Sequence, residues 1–430
     1  MFNRASHYID IAQIRIGLYV HLDLGWMDHP FMVSNFKVKD EDQIQTIRKT
    51  GLKKLRYDPK RSDCEPLPVT RAEAAMIELS SQEVANVNAQ ESKNIVPIFE
   101  RTKQLSYAIN ESEKKFLSAC GVARNATERF HLTPKSSIEQ TTKVVRELVD
   151  TALMEGDVAI HALNGNTSKD ADYFHPMNVT VLSLLIAKSI AMTKEDAQLL
   201  ALAAMYHDLG KANLPEKLVA KKEVLTSIEQ SQFEKHSEIG ARMLRDAGLD
   251  KRISDIILHH HVYADGSGYP KQIDFSQVDQ LAKIIALVNW YDNLCNPNNI
   301  AQAKTPHEAL AYMYAHQKAK FDESLLKHMI KLLGIYPPGS IVQLSSGVYA
   351  IVISVNPSKP LRPFVLVHDP MVNRHDAEII DLREDPSISI IACLRPNQLP
   401  QDILNHMNPR KRISYFIDAD LKRVTEHQQF

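Results

Sequence analysis

The stretch Leu199–Gly210, LLALAAMYHDLG, carries an apolar helical run directly into a His-Asp pair and a glycine. It reads as a helix closed by His207-Asp208, with Gly210 as its stop. Outward from it, His175 stands near the start of an apolar helix from Tyr173 to Ala191. His236 falls in a helix from about Ile228 to Ala247, and His259-His260-His261 ends a helix from about Lys251. From Ser137 to Leu333 nearly every segment has helical periodicity and few runs are strand-like, which predicts an all-α domain. Ser136 and Glu139 have capping-box spacing at its first helix, and a further helical pattern runs from Val96 to about Glu128.

The flanks read differently. Ile14–Val20, Phe31–Val38 and Leu52–Tyr57 are short apolar runs between turn signals, with a helix from about Glu41 to Thr50 before the last of them. They predict a small α+β module over residues 1–80. The polar stretch Ser80–Asn94 reads as a linker, leading into a helical connector over 81–135. The helical domain then occupies 136–335. At Tyr336-Pro337-Pro338-Gly339 the character changes, and Ile341–Leu344, Tyr349–Val355 and Pro363–Val367 are β-branched runs of a short β-rich extension over 336–430. The fold class is therefore mainly α, with a small α+β module before it and a β-rich extension after it.

Composition excludes several functions. The 430 residues carry 51 Lys+Arg against 52 Asp+Glu, so there is no basic field for a non-specific DNA or RNA binder. Cys64, Cys120, Cys295 and Cys393 are far apart and form no CxxC pair, which excludes a disulfide framework and a thiolate zinc site and fits a reducing compartment. The opening MFNRASHYIDIAQI lacks a signal-peptide core. The apolar stretch Val179–Ile190 is interrupted by Thr180, Ser183, Lys188 and Ser189 and falls short of the ~18–20 residues of a membrane span. The expectation is a soluble, cytoplasmic protein with no membrane partner. The 18 histidines remain to be explained, and several of them fall between His161 and His261.

Imidazole nitrogens and carboxylate oxygens are ligands for Fe, Mn, Ni or Zn. Each histidine alone has an ordinary explanation: a lone helix histidine is more often a hydrogen-bonded core residue, and a triple His at a helix end complements the macrodipole. Together, inside one helical domain and beside the turn-rich loop Ala264–Pro270, they favour a metal site. Asp208, with its two oxygens, could bridge two ions.

The motifs HDLGKANLPEKL (His207–Leu218), KHSEIGARML (Lys235–Leu244) and HHVYADGSGYP (His260–Pro270) resemble those of the HD-GYP family, bacterial phosphodiesterases of the HD superfamily that hydrolyse cyclic dinucleotides. The resemblance covers about His175–Leu310, and more loosely YPPGSIVQL (Tyr336–Leu344). The N-terminal module resembles the small domain of unassigned function that precedes the catalytic domain in one branch of the family. The resemblance implies an HD-type helical bundle holding two divalent metal ions through His175, His207, Asp208, His236, His260 and His261, with Asn289 a weak neutral ligand. Lys211 matches the family's catalytic lysine, and Asp208 would bridge the ions that activate the attacking water. Asp265, Gly266, Ser267, Gly268, Tyr269 and Pro270 match the signature loop, tied in the family to the substrate site and to diguanylate cyclase domains. The implied function is hydrolysis of cyclic di-GMP or a related cyclic dinucleotide. Separately from the resemblance, the helices from Val96 to Glu128 could form a homodimer contact.

The chain departs from the family's pattern at Val262, Asn289, Asn298 and Ile300, and has Ala171, between Asp170 and Asp172, where a third ion would want a carboxylate. These departures suit an alternative, a degraded receptor or scaffold that binds the nucleotide or a cyclase without turnover. A different HD phosphohydrolase is opposed by the DGSGYP loop.

Overall fold

In a computed structural model, the structure describes residues 7–22, 31, 35–49, 52, 54–66, 98–154, 159–162, 174–355, 359, 361–369, 379–385, 387–407, 413 and 415–418. The linker read over Ser80–Asn94 and the position of Ala171 lie outside them. The chain divides into two compact units, 1–97 and 98–430.

In the first unit, β1 (His7–Asp10), β2 (Tyr19–His21), β3 (Asn35–Lys37), α1 (Glu41–Lys49) and β4 (Lys54–Tyr57) build an antiparallel sheet in the order β1-β4-β2-β3. Ile44 and Ile47 of α1 are buried with Leu18, Val20 and Leu55, the i and i+3 spacing that gives a short helix one apolar face. The strand expected from Ile14 to Val20 shrinks to β2. Gly17 adopts φ +96° and donates its amide to Val38 O at 2.9 Å, which breaks the extended run there.

The second unit begins with α2 (Ile98–Glu128), α3 (Pro134–Leu153), β5 (Ala159–Ala162), α4 (Phe174–Ser189) and α5 (Lys194–Tyr206). It continues with α6 (Glu216–Val219), α7 (Ser227–Glu234), α8 (His236–Asp246), α9 (Lys251–His259), α10 (Gln280–Cys295), α11 (Pro306–His316) and α12 (Glu323–Leu333). The remaining elements are β6 (Ile341–Leu344), β7 (Tyr349–Ser354), β8 (Phe364–Val367), β9 (Ile379–Asp381), β10 (Ile390–Leu394), α13 (Gln401–Met407) and β11 (Tyr415–Asp418). The architecture is mainly α, with strands in the first unit and toward the C-terminus.

Helices α4 and α10 are largely apolar, with long stretches buried all round, as a helix has when neighbours surround it. Residues 177–187 of α4 are all buried, and so are Ile284–Asn289 of α10. The helices around them start where side chains satisfy their free amides. Thr226 with Glu229, and Thr305 with Glu308, form capping boxes for α7 and α11, and Asp250, Asp279 and Asp322 cap α9, α10 and α12.

Three local expectations change. Helix α3 starts at Pro134 behind Thr133, not at a Ser136 cap; proline at the first helical position has no amide to lose. Ser136 sits inside the helix, its Oγ accepting from Gln140 Nε2 at 3.1 Å. The single helix expected from Ile228 to Ala247 is two, α7 and α8, parted at Lys235. Strand β5, unforeseen within the helical stretch, pairs with β7 and β11, so the C-terminal sheet, in the order β10-β6-β7-β5-β11 with β8 paired to β7 and β9 to β8, takes a strand from between α3 and α4. Among the described residues no helix is long and apolar enough to cross a membrane.

Gly210 is not a helix stop either. It lies in the 3-10 turn Leu209–Asn213, where an added Cβ would stand 2.0 Å from His236 O and 2.6 Å from Gly240 N. Only glycine lets the backbone after His207-Asp208 lie against the start of α8. Gly210→Ala should therefore destabilise the chain by ~1–3 kcal/mol. Gly121→Ala, at an exposed position of α2 with nothing within 4 Å of the new Cβ, should stabilise it by ~0.5–1 kcal/mol. Denaturant titration of both variants checks the pair; shifts of the same sign would contradict this packing.

Candidate metal centre

Three of the implicated histidines stand where helices end. His207 follows α5, His260 follows α9, and His236, the first residue of α8, comes two residues past the end of α7. A helix C-terminus leaves carbonyls without partners, and each ring fills one. His207 Nδ1 donates to Ala204 O at 2.7 Å, His236 Nδ1 to Phe233 O at 2.8 Å, and His260 Nδ1 to Ile257 O at 2.5 Å. In each case the carbonyl is three residues back. His175, in the first turn of α4, uses a carboxylate instead: its Nδ1 lies 2.6 Å from Asp292 Oδ2. Holding Nδ1 fixes the ring's orientation and leaves Nε2 to face the centre of the site.

What the four Nε2 atoms meet there is Asp208. Its Oδ2 lies 3.5 Å from His175 Nε2 and 3.3 Å from His207 Nε2, and its Oδ1 lies 3.4 Å from His236 Nε2. Two groups result, His175–His207–Asp208 and Asp208–His236–His260–His261, each with its donor atoms within 4.8 Å of one another and Asp208 common to both. Within them His175 Nε2 and His207 Nε2 are 3.2 Å apart, and His236 Nε2 and His260 Nε2 are 3.4 Å apart. Lone pairs facing at that distance repel unless a cation lies among them. Ligand atoms sharing one ion at ~2.0–2.2 Å are separated by about 3.0–3.4 Å at ordinary angles.

Two further observations fit a cation. Asp208 Oδ1 is buried and has no hydrogen-bond partner, an arrangement that is costly for a carboxylate oxygen without positive charge beside it. The C-terminal ends of three helices, each carrying partial negative charge, point their rings at the same spot. Nitrogen and oxygen donors with no thiolate suit a divalent transition metal, so this cluster is able to hold one.

The electrostatics leave most of these groups in ligand form. Burial lowers His236 to about 4, and pushes His260 and His261 well below the usual histidine range. Burial opposes charge on His175 too, but its contacts with Asp208 and Asp292 outweigh it and raise this ring to about 9. Asp208 is held well below the carboxylate range: burial would raise it, but the charges of His207 and Lys211 and its histidine contacts prevail.

The side chains of His207 and His236 are fully buried, whereas those of His175, Asp208 and Lys211 are 20%, 13% and 27% exposed. The centre therefore opens to solvent on the His175 side. Lys211 stands at that opening, its Nζ 2.5 Å from Asp208 Oδ2 and 5.2 Å from the centroid of the Phe233 ring.

The loop Asp265–Pro270 packs against the same centre. Asp265 Oδ1 accepts from Ser267 N and Ser267 Oγ, an Asx-type turn, and Gly266 takes φ +72°. Lys320 Nζ donates to Asp265 Oδ2 at 3.0 Å and to Ser267 Oγ, and the Lys320 carbonyl accepts from Ala264 N. Gly268 has no room for a side chain, since a Cβ would fall 1.8 Å from His261 O. That contact lets Tyr269 stack on His261 at 4.5 Å and donate its amide to His261 O at 3.0 Å. The inner half of the loop thus buttresses His261, while residues 264–267 face outward.

The departures are now located. Val262 is buried. Asn289 is buried in α10, its Oδ1 accepting from Asn293 Nδ2 at 2.6 Å. Asn298 donates to Val219 O at 3.2 Å, and Ile300 is half exposed, so neither offers a cation to a phosphate. His259 belongs to neither histidine group. Sequence reading missed Asp292, which orients His175. Its signal was a carboxylate inside the otherwise apolar run of α10, three residues after the weighed Asn289.

Three family models match the chain. The model for the HD domain matches residues 157–325, that for a domain of unknown function (DUF3391) matches 6–162, and that for a KOW domain associated with HD domain matches 341–402. The chain is 26% identical to the cyclic di-GMP phosphodiesterase PA4108 of Pseudomonas aeruginosa over 84% of each chain. It is 30% identical to the cyclic di-GMP phosphodiesterase response regulator RpfG of Xanthomonas campestris pv. campestris, over 34% of this chain and 39% of that one. To the 3'3'-cGAMP-specific phosphodiesterase 3 of Vibrio cholerae it is 25% identical, over 38% of this chain and 35% of the other. With the HD core matched and the DGSGYP loop stacked on His261, the chain carries an HD domain and is similar to these cyclic-dinucleotide phosphodiesterases.

Proposed function

We propose that this chain is a metal-dependent phosphodiesterase that hydrolyses a cyclic dinucleotide, cyclic di-GMP or its mixed GMP-AMP relative, at a centre of two divalent ions. The observation that carries the reading is Asp208, which turns one carboxylate oxygen to His175 and His207 and the other to His236. In this reading His175 and His207 hold one ion, His236, His260 and His261 hold the other, and Asp208 joins them. Asn289, whose oxygen already accepts from Asn293, adds at most a neutral donor. The relatives named as cyclic di-GMP and 3'3'-cGAMP phosphodiesterases support the substrate class.

When bound, such ions make a water nucleophilic near neutral pH and neutralise the phosphate oxygens. The chain's own residues do the rest. The phosphodiester enters on the side of His175, Asp208 and Lys211. There the Lys211 ammonium, aimed by Asp208 and by the face of Phe233, offsets charge on the non-bridging or leaving oxygen. Tyr269 and Gly268 keep His261 in place from behind. The outward residues 264–267 are the part of the loop left for a cyclase domain. The receptor reading keeps one observation in its favour: Asn298 is spent on Val219 O and leaves a phosphate one cation fewer.

Metal analysis of the purified chain, with chromatography of cyclic di-GMP and 3'3'-cGAMP after incubation, separates the readings. Two ions per chain with turnover supports the enzyme; tight nucleotide binding without turnover supports the receptor. His207→Ala and Asp208→Ala should abolish hydrolysis and lower bound metal while circular dichroism stays unchanged. Full activity in either folded variant would refute the centre. Lys211→Ala should retain both ions yet lose ~10²–10³-fold in kcat, the range for one electrostatic donor.

The pH dependence has a defined sign. His175 binds its proton up to about pH 9, so an ion taking its Nε2 must displace that proton. Affinity for that ion should fall as the pH drops below 9, by up to tenfold per unit. His236, lowered to about 4, exacts no such cost above pH 5. Calorimetric titration in buffers of different ionisation enthalpy reads the released proton; uptake with no proton release at pH 7 would contradict the assignment of His175.

A further inference from the structure

We infer that two backbone positions near the C-terminus, Ile413 and Tyr415, are a working part of the metal centre, because they set two asparagines that hold Asp292 against His175. The inference rests on the two-ion reading above and concerns residues to which that reading gave no role. Asp292 is fully buried. Its Oδ2 engages His175, while its Oδ1 accepts from Asn178 Nδ2 at 2.8 Å and from Asn296 Nδ2 at 2.9 Å. Both amides are fixed on their far side by the C-terminal chain. Ile413 O accepts the second proton of each, at 2.9 Å from Asn178 and 2.8 Å from Asn296. Ile413 N donates to Asn296 Oδ1 at 2.7 Å, and Tyr415 N donates to Asn178 Oδ1 at 3.0 Å.

Those two backbone amides decide which way each side chain faces. An asparagine presents an N–H or a C=O depending on a half-turn of its amide. With N–H groups from Ile413 and Tyr415 on the oxygen side, both asparagines must turn N–H toward Asp292. A reversed amide would set a carbonyl against the carboxylate, and Asp292 would lose a donor. Strand β11 is itself firmly seated: it pairs with β5, Tyr415 and Phe416 are fully buried, and Tyr415 Oη lies 2.8 Å from Tyr291 Oη. Groups that orient a metal-binding histidine typically alter metal affinity ~10–100-fold when lost. The effect falls on the His175 group alone, since His207, His236 and His260 rest on helix carbonyls.

Cobalt(II) titration of the full chain, followed by its visible absorption, tests this. The wild type should take up two ions. Ile413→Pro, which removes the amide facing Asn296, and Asn296→Ala, which removes one donor to Asp292, should each weaken one uptake step ~10–100-fold and leave the other unchanged. Asn296 is only part-buried, so its variant stays readable if the proline variant fails to fold, as circular dichroism will report. Tyr415→Phe deletes the Tyr291 contact but leaves the amides alone, and should bind both ions as the wild type does. Wild-type affinity for both ions in folded Asn296→Ala overturns the inference, as does equal weakening by Tyr415→Phe. Wild-type protein that takes up no more than one ion overturns the two-ion reading instead.

Discussion

A hydrogen bond from each ring's Nδ1 to a fixed acceptor is the constraint on which the centre depends. Histidine has two nitrogens and a rotatable ring, and a cluster of free imidazoles would have no reason to converge. Here the ends of α5, α7 and α9 each present a carbonyl three residues before a histidine, and the ring donates to it. One bond satisfies the helix end and aims Nε2. The split between α7 and α8 follows from the same logic, since Phe233 O is given to the ring of His236 at the point where the helix parts.

Converging helix ends must be brought very close, and the packing that allows it is specific. Gly210 lets the turn after Asp208 lie on the backbone of His236 and Gly240, and Gly268 lets the signature loop lie on the carbonyl of His261. Both are contacts of backbone with backbone, which no larger residue can make by adjusting a rotamer. Behind them α4, buried from Met177 to Ala187, and α10, buried from Ile284 to Asn289, form the fixed wall from which His175 and Asp292 meet. A rigid apolar wall is a sound place for a polar pair, because its neighbours cannot move aside to let water compete.

How much of this was legible in the sequence depended on separation along the chain. The His-Asp pair, the double histidine and the DGSGYP loop are local words, and the residues they named do come together around Asp208. The three main strands of the extension were legible as well, as β-branched runs between glycine and proline. Legibility failed where a tertiary partner decided the outcome. Strand β5 is four residues with no pattern of its own, and it exists because β7 and β11 pair with it. Gly210 reads as a stop in any helix table, yet its reason is the backbone of a residue 26 positions later. Asn178, Asp292, Asn296 and Ile413 are separated by up to 235 residues, and no spacing rule connects them.

The two halves of the centre are consequently not equivalent. The group of His236, His260 and His261 is enclosed and kept neutral by burial, and it is braced from behind by Tyr269. The group of His175 and His207 is open to solvent at His175, carries the proton that Asp208 and Asp292 favour, and depends on a carboxylate held by distant parts of the chain. On the two-ion proposal, an ion in the first group would have few competitors, whereas one in the second would compete with protons and with whatever disturbs α4, α10 or β11. The open, more easily emptied side is also where Lys211 stands and where a phosphodiester can enter. With a net charge of −1 for the whole chain, attraction for a dianionic nucleotide has to come from local groups such as Lys211 and not from the overall field. On that proposal, the half of the centre that would meet the substrate is also the half whose occupancy the rest of the fold could alter.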